Sequence, residues 1–194
     1  MGLPIIFMKR IETKFIELKI PYSGKELRSH FIYDQFDLLG DALVAFAGPC
    51  DVSLEQMVDL EDVKLDAPIY SENMLHFIGE FYGISLETTI TYQRLLIALM
   101  SQEMHASGFT KVLRQGDDLY EGDAKLSVSI ATLSPTSTLI HAGINISSKN
   151  TPVKTKGLED FKISPTEFAQ KILKAFQEEF HDISKALCKV RSVP

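Results

Sequence analysis

The sequence predicts an α+β fold in which a mixed, largely antiparallel sheet is flanked by helices, and three observations carry that prediction. Residues 125–148 hold two runs that alternate apolar with polar side chains around the turn "SPTS", the pattern of a β-hairpin. Tyr92, Leu95, Leu96 and Leu99 fall at helical spacing ahead of Gly108, while Phe168, Ile172, Phe176, Phe180, Ile183 and Leu187 trace one long apolar stripe. Strand and helix signals are interspersed without the regular alternation of a doubly wound parallel sheet.

Each element has a local reason. Residues 13–20, "TKFIELKI", alternate as a strand. Ser23 with Glu26 forms a capping-box signature and predicts a helix to about Phe36, with Leu27 and Phe31 starting its buried stripe. "ALVAFAGP" from Ala42 reads as a buried strand closed by Gly48 and Pro49, and Ser53 with Gln56 starts another short helix. Residues 69–86 mix aromatics with Gly79 and Gly83, which predicts strands joined by loops that permit close backbone approach. At the far end Ser164, Pro165 and Glu167 supply the N-cap, N1 and N3 positions of a long terminal helix.

Composition bounds the function classes. At 194 residues, with 45% hydrophobic and 24% charged side chains, the chain has the ordinary globular mix and enough length for an apolar core without staples. No repeat or linker divides it, so one domain over 1–194 is expected. Twenty Lys and Arg against 26 Asp and Glu leave a net charge of −6, which sets aside a general nucleic-acid binder. Cys50 and Cys188 are too few for a disulfide framework and lack zinc spacing, and the start "MGLPIIFMKRIETK" puts its apolar run before Lys9–Arg10, the reverse of a signal peptide. A cytoplasmic location follows as the expectation. Residues 126–148 carry no charge, but their alternation and Pro135 favour a hairpin over a membrane span, so no membrane partner is expected. The acidic run Asp59, Glu61, Asp62 matches no calcium loop and reads as a solvated turn, so no metal is assigned.

The hairpin carries the chemistry. Leu126, Val128 and Ile130 share one face of its first strand, and Ile140, Ala142, Ile144 and Ile146 one face of the second; these are the expected buried faces. The opposite faces present Lys125, Ser127 and Ser129, and His141, Gly143 and Asn145. A five-residue loop, Leu133–Ser137, would set Lys125 opposite Asn145, Ser127 opposite Gly143 and Ser129 opposite His141, and matching the faces requires an odd loop. A Lys among hydroxyls, a Gly gap, an amide and an imidazole form a floor for an anionic ligand; the competing reading is a solvated sheet face.

"GDDLYEGDAKLS" from Gly116, "HAGINIS" from His141 and "KTKGLEDF" from Lys154 resemble, in this order, motifs of the lipoate and biotin protein ligases. In lipoate ligases the catalytic Lys stands seven residues after the Asp of an Asn-Asp pair, the spacing of Asp118 and Lys125. The Gly-hydrophobic-Asn of biotin ligases matches Gly143, Ile144 and Asn145, and the Lys-x-Lys-Gly-Ile of lipoate ligases matches Lys154, Lys156, Gly157 and Leu158. The likeness spans residues 25–180. It implies the fold shared with the catalytic domain of class II aminoacyl-tRNA synthetases, with Lys125 as the catalytic group that neutralises charge during acyl-adenylate formation. It makes Asp118, Ser127, His141, Gly143 and Asn145 ligand-binding residues, joined by His76 and Gly79 in the part that resembles the substrate loop; for His76 a core or stacking role is the competing reading.

The family's cofactor is ATP with Mg, held by a basic, Gly-rich loop. Here the matching stretch "IYSENMLHFIGEFYG" has no Arg, Lys or Trp, which deprives a triphosphate of its cradle. Val128 also stands where the family's setting has Gly, although the hairpin reading turns it toward the core. A thioester-using acyltransferase would avoid the phosphate problem, with Cys50 as its better-placed thiol, against the commoner outcome of a small buried Cys. The expected function is an acyl-ligase or acyltransferase relative that binds a carboxylic acid or its activated acyl form beside Lys125, with an acceptor protein as a further partner. The alternative is a non-catalytic binding domain that keeps the fold without adenylation. A structural oligomerisation module would instead show a flat apolar surface and no pocket beside the hairpin.

Overall fold

A computed structural model describes residues 9–193; the leader reading rests partly on residues 1–8, which lie outside the described residues. The elements run β1 (Glu12–Ile16), α1 (Phe31–Phe36), β2 (Ala42–Val52), α2 (Leu60–Lys64), β3 (Ile69–Phe81), α3 (Leu86–Ala106), β4 (Val112–Gln115), β5 (Asp118–Glu121), β6 (Ala124–Lys125), β7 (Ser127–Leu133), β8 (Thr138–Asn145), a 3-10 turn (Leu158–Phe161) and α4 (Pro165–Lys189). The main sheet has the order β1-β2-β3-β8-β7, with β1 parallel to β2 and every other pair antiparallel. A small second sheet, β4-β5-β6, stands beside it. This is the mixed α+β architecture the sequence predicts.

The central strands are apolar on both sides because both sides are covered. Leu43, Ala45, Leu75, Phe77, Ile140, Ala142 and Ile144 pack against Leu96 and Met100 of α3 and Phe168, Ile172 and Phe176 of α4. The other face, with Val44, Phe46, Met74 and Ile78, lies under Tyr22, Phe31 and Ile32 from the connection between β1 and β2. That second cover is made of loop and short helix, and it leaves a hollow above β7 and β8. Among the described residues no helix is long and apolar enough to cross a membrane.

Strand β1 ends at Ile16 rather than at residue 20, and outside the hairpin the structure departs from the sequence reading in four further places. The Ser23–Glu26 box forms, with the Ser23 N–H donating to the Glu26 carboxylate at 2.7 Å, but His30 at φ 60 interrupts the chain and the helix is confined to Phe31–Phe36. The turn after Ser53 does not become a helix; α2 starts at Leu60, where the Asp59 carboxylate accepts the N–H groups of Glu61 and Asp62. Residues 69–81 form one 13-residue strand rather than strands joined by loops. Gly79 is small there for packing reasons: a Cβ would sit 2.9 Å from the Phe81 ring and 3.3 Å from Leu43, on the face covered by helices.

The fourth departure is that β2 does not stop at Gly48 and Pro49. It continues to Val52 through an irregularity between Gly48 and Cys50, a position that tolerates a proline without N–H. Gly48 is required because a Cβ would meet the Ile20 carbonyl oxygen at 1.9 Å. Gly48→Ala is therefore expected to cost about 2 kcal/mol by overpacking against backbone that cannot rotate away. Urea denaturation measures this, and a wild-type midpoint would show that the Ile20 segment gives way freely.

Candidate active site

The hairpin register differs by one residue from the expected one. Ser127 pairs with Ile144, Val128 with Gly143, Ser129 with Ala142 and Ile130 with His141, around a four-residue turn. An offset of one exchanges the two faces of β7. Val128 and Ile130 therefore share a face with His141, Gly143 and Asn145, correcting the expectation that Val128 turns into the core. Ser127 and Ser129 can face the helix side because partners satisfy them there. The Ser129 hydroxyl accepts from Gln93 of α3 at 2.8 Å and donates to the Asp117 carbonyl at 2.7 Å. The Ser127 hydroxyl accepts the Leu119 N–H at 2.8 Å and donates to Asp118 at 3.2 Å. Ser127 thus holds Asp118, and it also lines the larger of two hollows at Lys125.

Lys125 does not sit on the hairpin strand but on β6, pairing with Tyr120. Its N–H donates to the Lys154 carbonyl at 3.0 Å and its carbonyl accepts the Lys156 N–H at 3.1 Å, so the "KTKG" segment clamps its backbone. Lys154 and Lys156 themselves pair outward, with Asp123 and Glu121. The tight β5–β6 turn brings the Lys125 ammonium to 2.7 Å from Asp118. Burial works to lower the Lys125 pKa, but Asp118, with Tyr120 and Asp62, outweighs it and holds the ammonium above its ordinary value. Burial pushes the Asp118 carboxyl up, and Lys125 and Ser127 offset only part of that push. Burial likewise raises Asp62, aided by Asp59.

Two hollows meet at Lys125, with Asp62, Ile69 and Val128 as shared walls. Their volumes are ≈ 140 Å³ on the side of Tyr22 and His141 and ≈ 250 Å³ on the side of Asn145, together the lower end of the range for small-molecule sites. A larger hollow of ≈ 1200 Å³ runs along β1 and α1, but it is an open trough bordered by neither Lys125 nor the histidines.

Asn145 is 5% exposed and borders the larger of the two hollows at Lys125, and its side-chain amide makes no hydrogen bond among the described residues. Gly143, expected as a gap in the floor, is roofed instead: its missing Cβ would fall 2.2 Å from the Met74 sulfur. Gly79 lies on the opposite face of β3, away from the hollows. His76 does not line them either; it stands behind His141, with Nδ1 3.1 Å from His141 Nε2 and Nε2 3.3 Å from the Gly48 carbonyl. Tyr22 stacks on His141 with ring centres 3.8 Å apart. Burial pushes His76 down to about 4 and His141 well below its ordinary value, so both rings are neutral at pH 7.

Of the expected residues the structure gathers Lys125, Asp118, Ser127, His141 and Asn145 around the two hollows. It adds Asp62, Asp117, Tyr22, Ile69 and Met74, for which the sequence offered the adjacent "GDD" and an acidic run read as a solvated turn. Cys50 takes no part: it is fully buried, and burial raises its thiol to about 12, so no useful thiolate exists at neutral pH.

The smaller hollow is bordered by Asp59, Asp62, Asp117 and Asp118 against the single cation Lys125. The stretch that would supply a basic Gly-rich loop is the inner strand β3. A triphosphate would bring further negative charge to this acidic wall with no Arg to receive it, so these residues do not fit ATP.

A family model described as a domain of unknown function (DUF366) matches residues 11–191. An uncharacterized protein of Methanocaldococcus jannaschii, MJ0805, is 40% identical over 155 residues, 77% of this chain and 70% of that protein. The solved structure of a protein of unknown function from Pyrococcus horikoshi superposes with a TM-score of 0.88 at 40% identity, covering 95% of this chain and 100% of that one. A biotin protein ligase from Aquifex aeolicus, in complex with biotin and ATP, gives a TM-score of 0.62 at 16% identity, over 89% and 72% of the two chains. Ta0514 of T. acidophilum, a candidate lipoate protein ligase with bound lipoic acid, gives 0.58 at 15%, over 88% and 86%. The fold is that of the biotin and lipoate ligases.

Proposed function

The chain belongs to the DUF366 family, and from its ligase-like fold and site we propose that it binds a small carboxylic acid, or an activated ester of one, beside Lys125 without adenylating it. The observation that carries this reading is the ammonium of Lys125 at the junction of two hollows, one of them also bordered by Asn145, a residue only 5% exposed whose amide makes no hydrogen bond among the described residues. Both are donors, and together they suit the oxygen of a carboxylate or an acyl carbonyl. Asp118 fixes where the ammonium points. If the ligand arrives as a thioester, the same two donors face the carbonyl oxygen as negative charge builds there during attack by an acceptor amine; the charge collapses as the C–S bond breaks, and the thiol leaves with the amine's proton. The acidic wall, with no cysteine among the described residues lining either hollow, favours as a second reading a binding domain that performs no transfer.

The test titrates octanoate, lipoate, biotin and an octanoyl thioester against the protein and its Lys125→Ala variant by thermal shift and calorimetry. Binding of at least one acid or ester, lost in Lys125→Ala, is expected, with no ATP-dependent pyrophosphate exchange. Pyrophosphate exchange would overturn the ATP-free reading, and binding that survives Lys125→Ala would remove the site. Transfer of the octanoyl group to an added amine separates an acyltransferase from a binding domain.

A further inference from the structure

The hydrogen-bond chain behind the smaller hollow fixes the chemistry of its far wall. The Gly48 carbonyl can only accept, so His76 Nε2, at 3.3 Å, carries the proton. A neutral His76 then has a bare Nδ1 that can only accept, and His141 Nε2, at 3.1 Å from it, must donate. With its one proton committed inward, His141 turns a bare Nδ1 lone pair outward. That atom makes no hydrogen bond among the described residues. His181 alone among them has a fully buried side-chain nitrogen without a partner, so His141 Nδ1 reaches open space although the residue is only 3% exposed. The hollow it borders is the one lined by Tyr22, Asp59 and Asp117.

The placement along β8 gives the ligand its length. His141 and Asn145 are four residues apart on one strand face, a span of roughly 13 Å. Asn145 marks one end and His141 the other, with Lys125 at the junction between the two hollows and apolar walls from Val128, Ile69 and Ile130 along the way. An acceptor buried at the far end leaves a plain alkyl terminus unfavoured, because His141 would lose contact with solvent and gain no donor.

We propose that the ligand is an elongated carboxylic acid whose distal end bears a polar hydrogen, an O–H or N–H group donated to His141 Nδ1, with His76 and the Gly48 carbonyl setting the tautomer that receives it. This rests on the carboxylate reading of Lys125 and names the substrate class of that same site. His141 is a binding residue and His76 a positioning residue.

The experiment compares octanoate with 8-hydroxyoctanoate by calorimetry on the wild type and on His141→Phe, which keeps an aromatic ring under Tyr22, and follows the histidine nitrogens by 15N NMR. The hydroxy acid is expected to bind about tenfold more tightly than octanoate to the wild type, with the advantage lost in His141→Phe. The NMR spectrum should show His141 protonated at Nε2, and its bare Nδ1 signal should move on adding the hydroxy acid. The spectrum is read on the wild type, so the proposal stays testable if His141→Phe does not fold. Equal affinities with an unmoved Nδ1 signal would overturn the donor proposal while leaving the carboxylate site standing. Failure of both acids to bind would overturn the carboxylate reading and this one with it. A His141 protonated at Nδ1 would overturn the tautomer argument by itself.

Discussion

Lys125→Met is expected to lower stability by about 3 kcal/mol at pH 8, with the acyl ligand's stabilisation lost in the same variant. The reason is Asp118, whose carboxylate is 14% exposed and has the Lys125 ammonium as its counter-charge at 2.7 Å. Methionine keeps the aliphatic bulk and removes the charge, so a largely buried carboxylate remains beside Asp117 with the Ser127 hydroxyl as its protein donor. Its pKa, already raised by burial, rises further. A carboxyl whose folded pKa lies above its unfolded one favours folding as the pH drops, so the deficit of Lys125→Met should shrink as the pH falls through the Asp118 titration. Adding Asp118→Asn should restore most of the stability at pH 8 and none of the binding, which separates the ion pair's structural part from the ammonium's contact with ligand. Urea denaturation across pH for the four members of this cycle is the measurement. A single Lys125→Met protein with the wild-type midpoint at pH 8 would mean that Asp118 finds water in the hollow and needs no partner.

That cycle tests the part of the site most legible in the sequence. Asp118 and Lys125 are joined by a short turn, so their seven-residue spacing reports a contact made locally between β5 and β6. The long helices were legible for the same reason: their stripes and the Ser164–Pro165 cap are local patterns, and α4 starts at Pro165 as read. The hairpin register was not, because its parity depended on whether Ser127 and Ser129 could be buried. They can, since Gln93, Asp117 and Asp118 satisfy them, and Gln93 comes from a helix 36 residues away from Ser129 in the chain. A face assignment from alternation treats every polar residue as outward-facing; partners supplied by the tertiary fold reverse it. Gly79 was misplaced by a related route, as a glycine demanded by the Phe81 ring looks the same in sequence as one demanded by a loop. Asp62 joins the site because it and Ile69 border the same two hollows as Lys125, a placement that only the tertiary fold determines.

The histidine pair should make the protein acid-labile in a defined window. His76 titrates at about 4 in the folded chain against an ordinary value of 6.5. Between those values the unfolded chain binds a proton that the folded chain refuses, so stability is fully present above pH 6.5 and falls as the pH drops toward 4. For His76 alone the loss is about 3 kcal/mol, and His141, lowered by burial and by His76, adds to it. The two share one hydrogen bond, so both cannot be charged: two imidazolium rings at 3.1 Å would present donors to each other. Asp62 and Asp118, both raised by burial, act in the opposite sense and favour folding as the pH drops. Removing both rings isolates the histidine part. The double variant His76→Leu/His141→Leu leaves no orphaned partner within the pair, and its acid sensitivity between pH 6.5 and 4 should fall by about 3 kcal/mol or more relative to wild type. Urea midpoints across that range measure it, and an undiminished acid loss would mean that the rings are not held neutral. Neutral rings are what leave His141 Nδ1 bare toward the hollow, so stability against pH and ligand choice read the same protonation state.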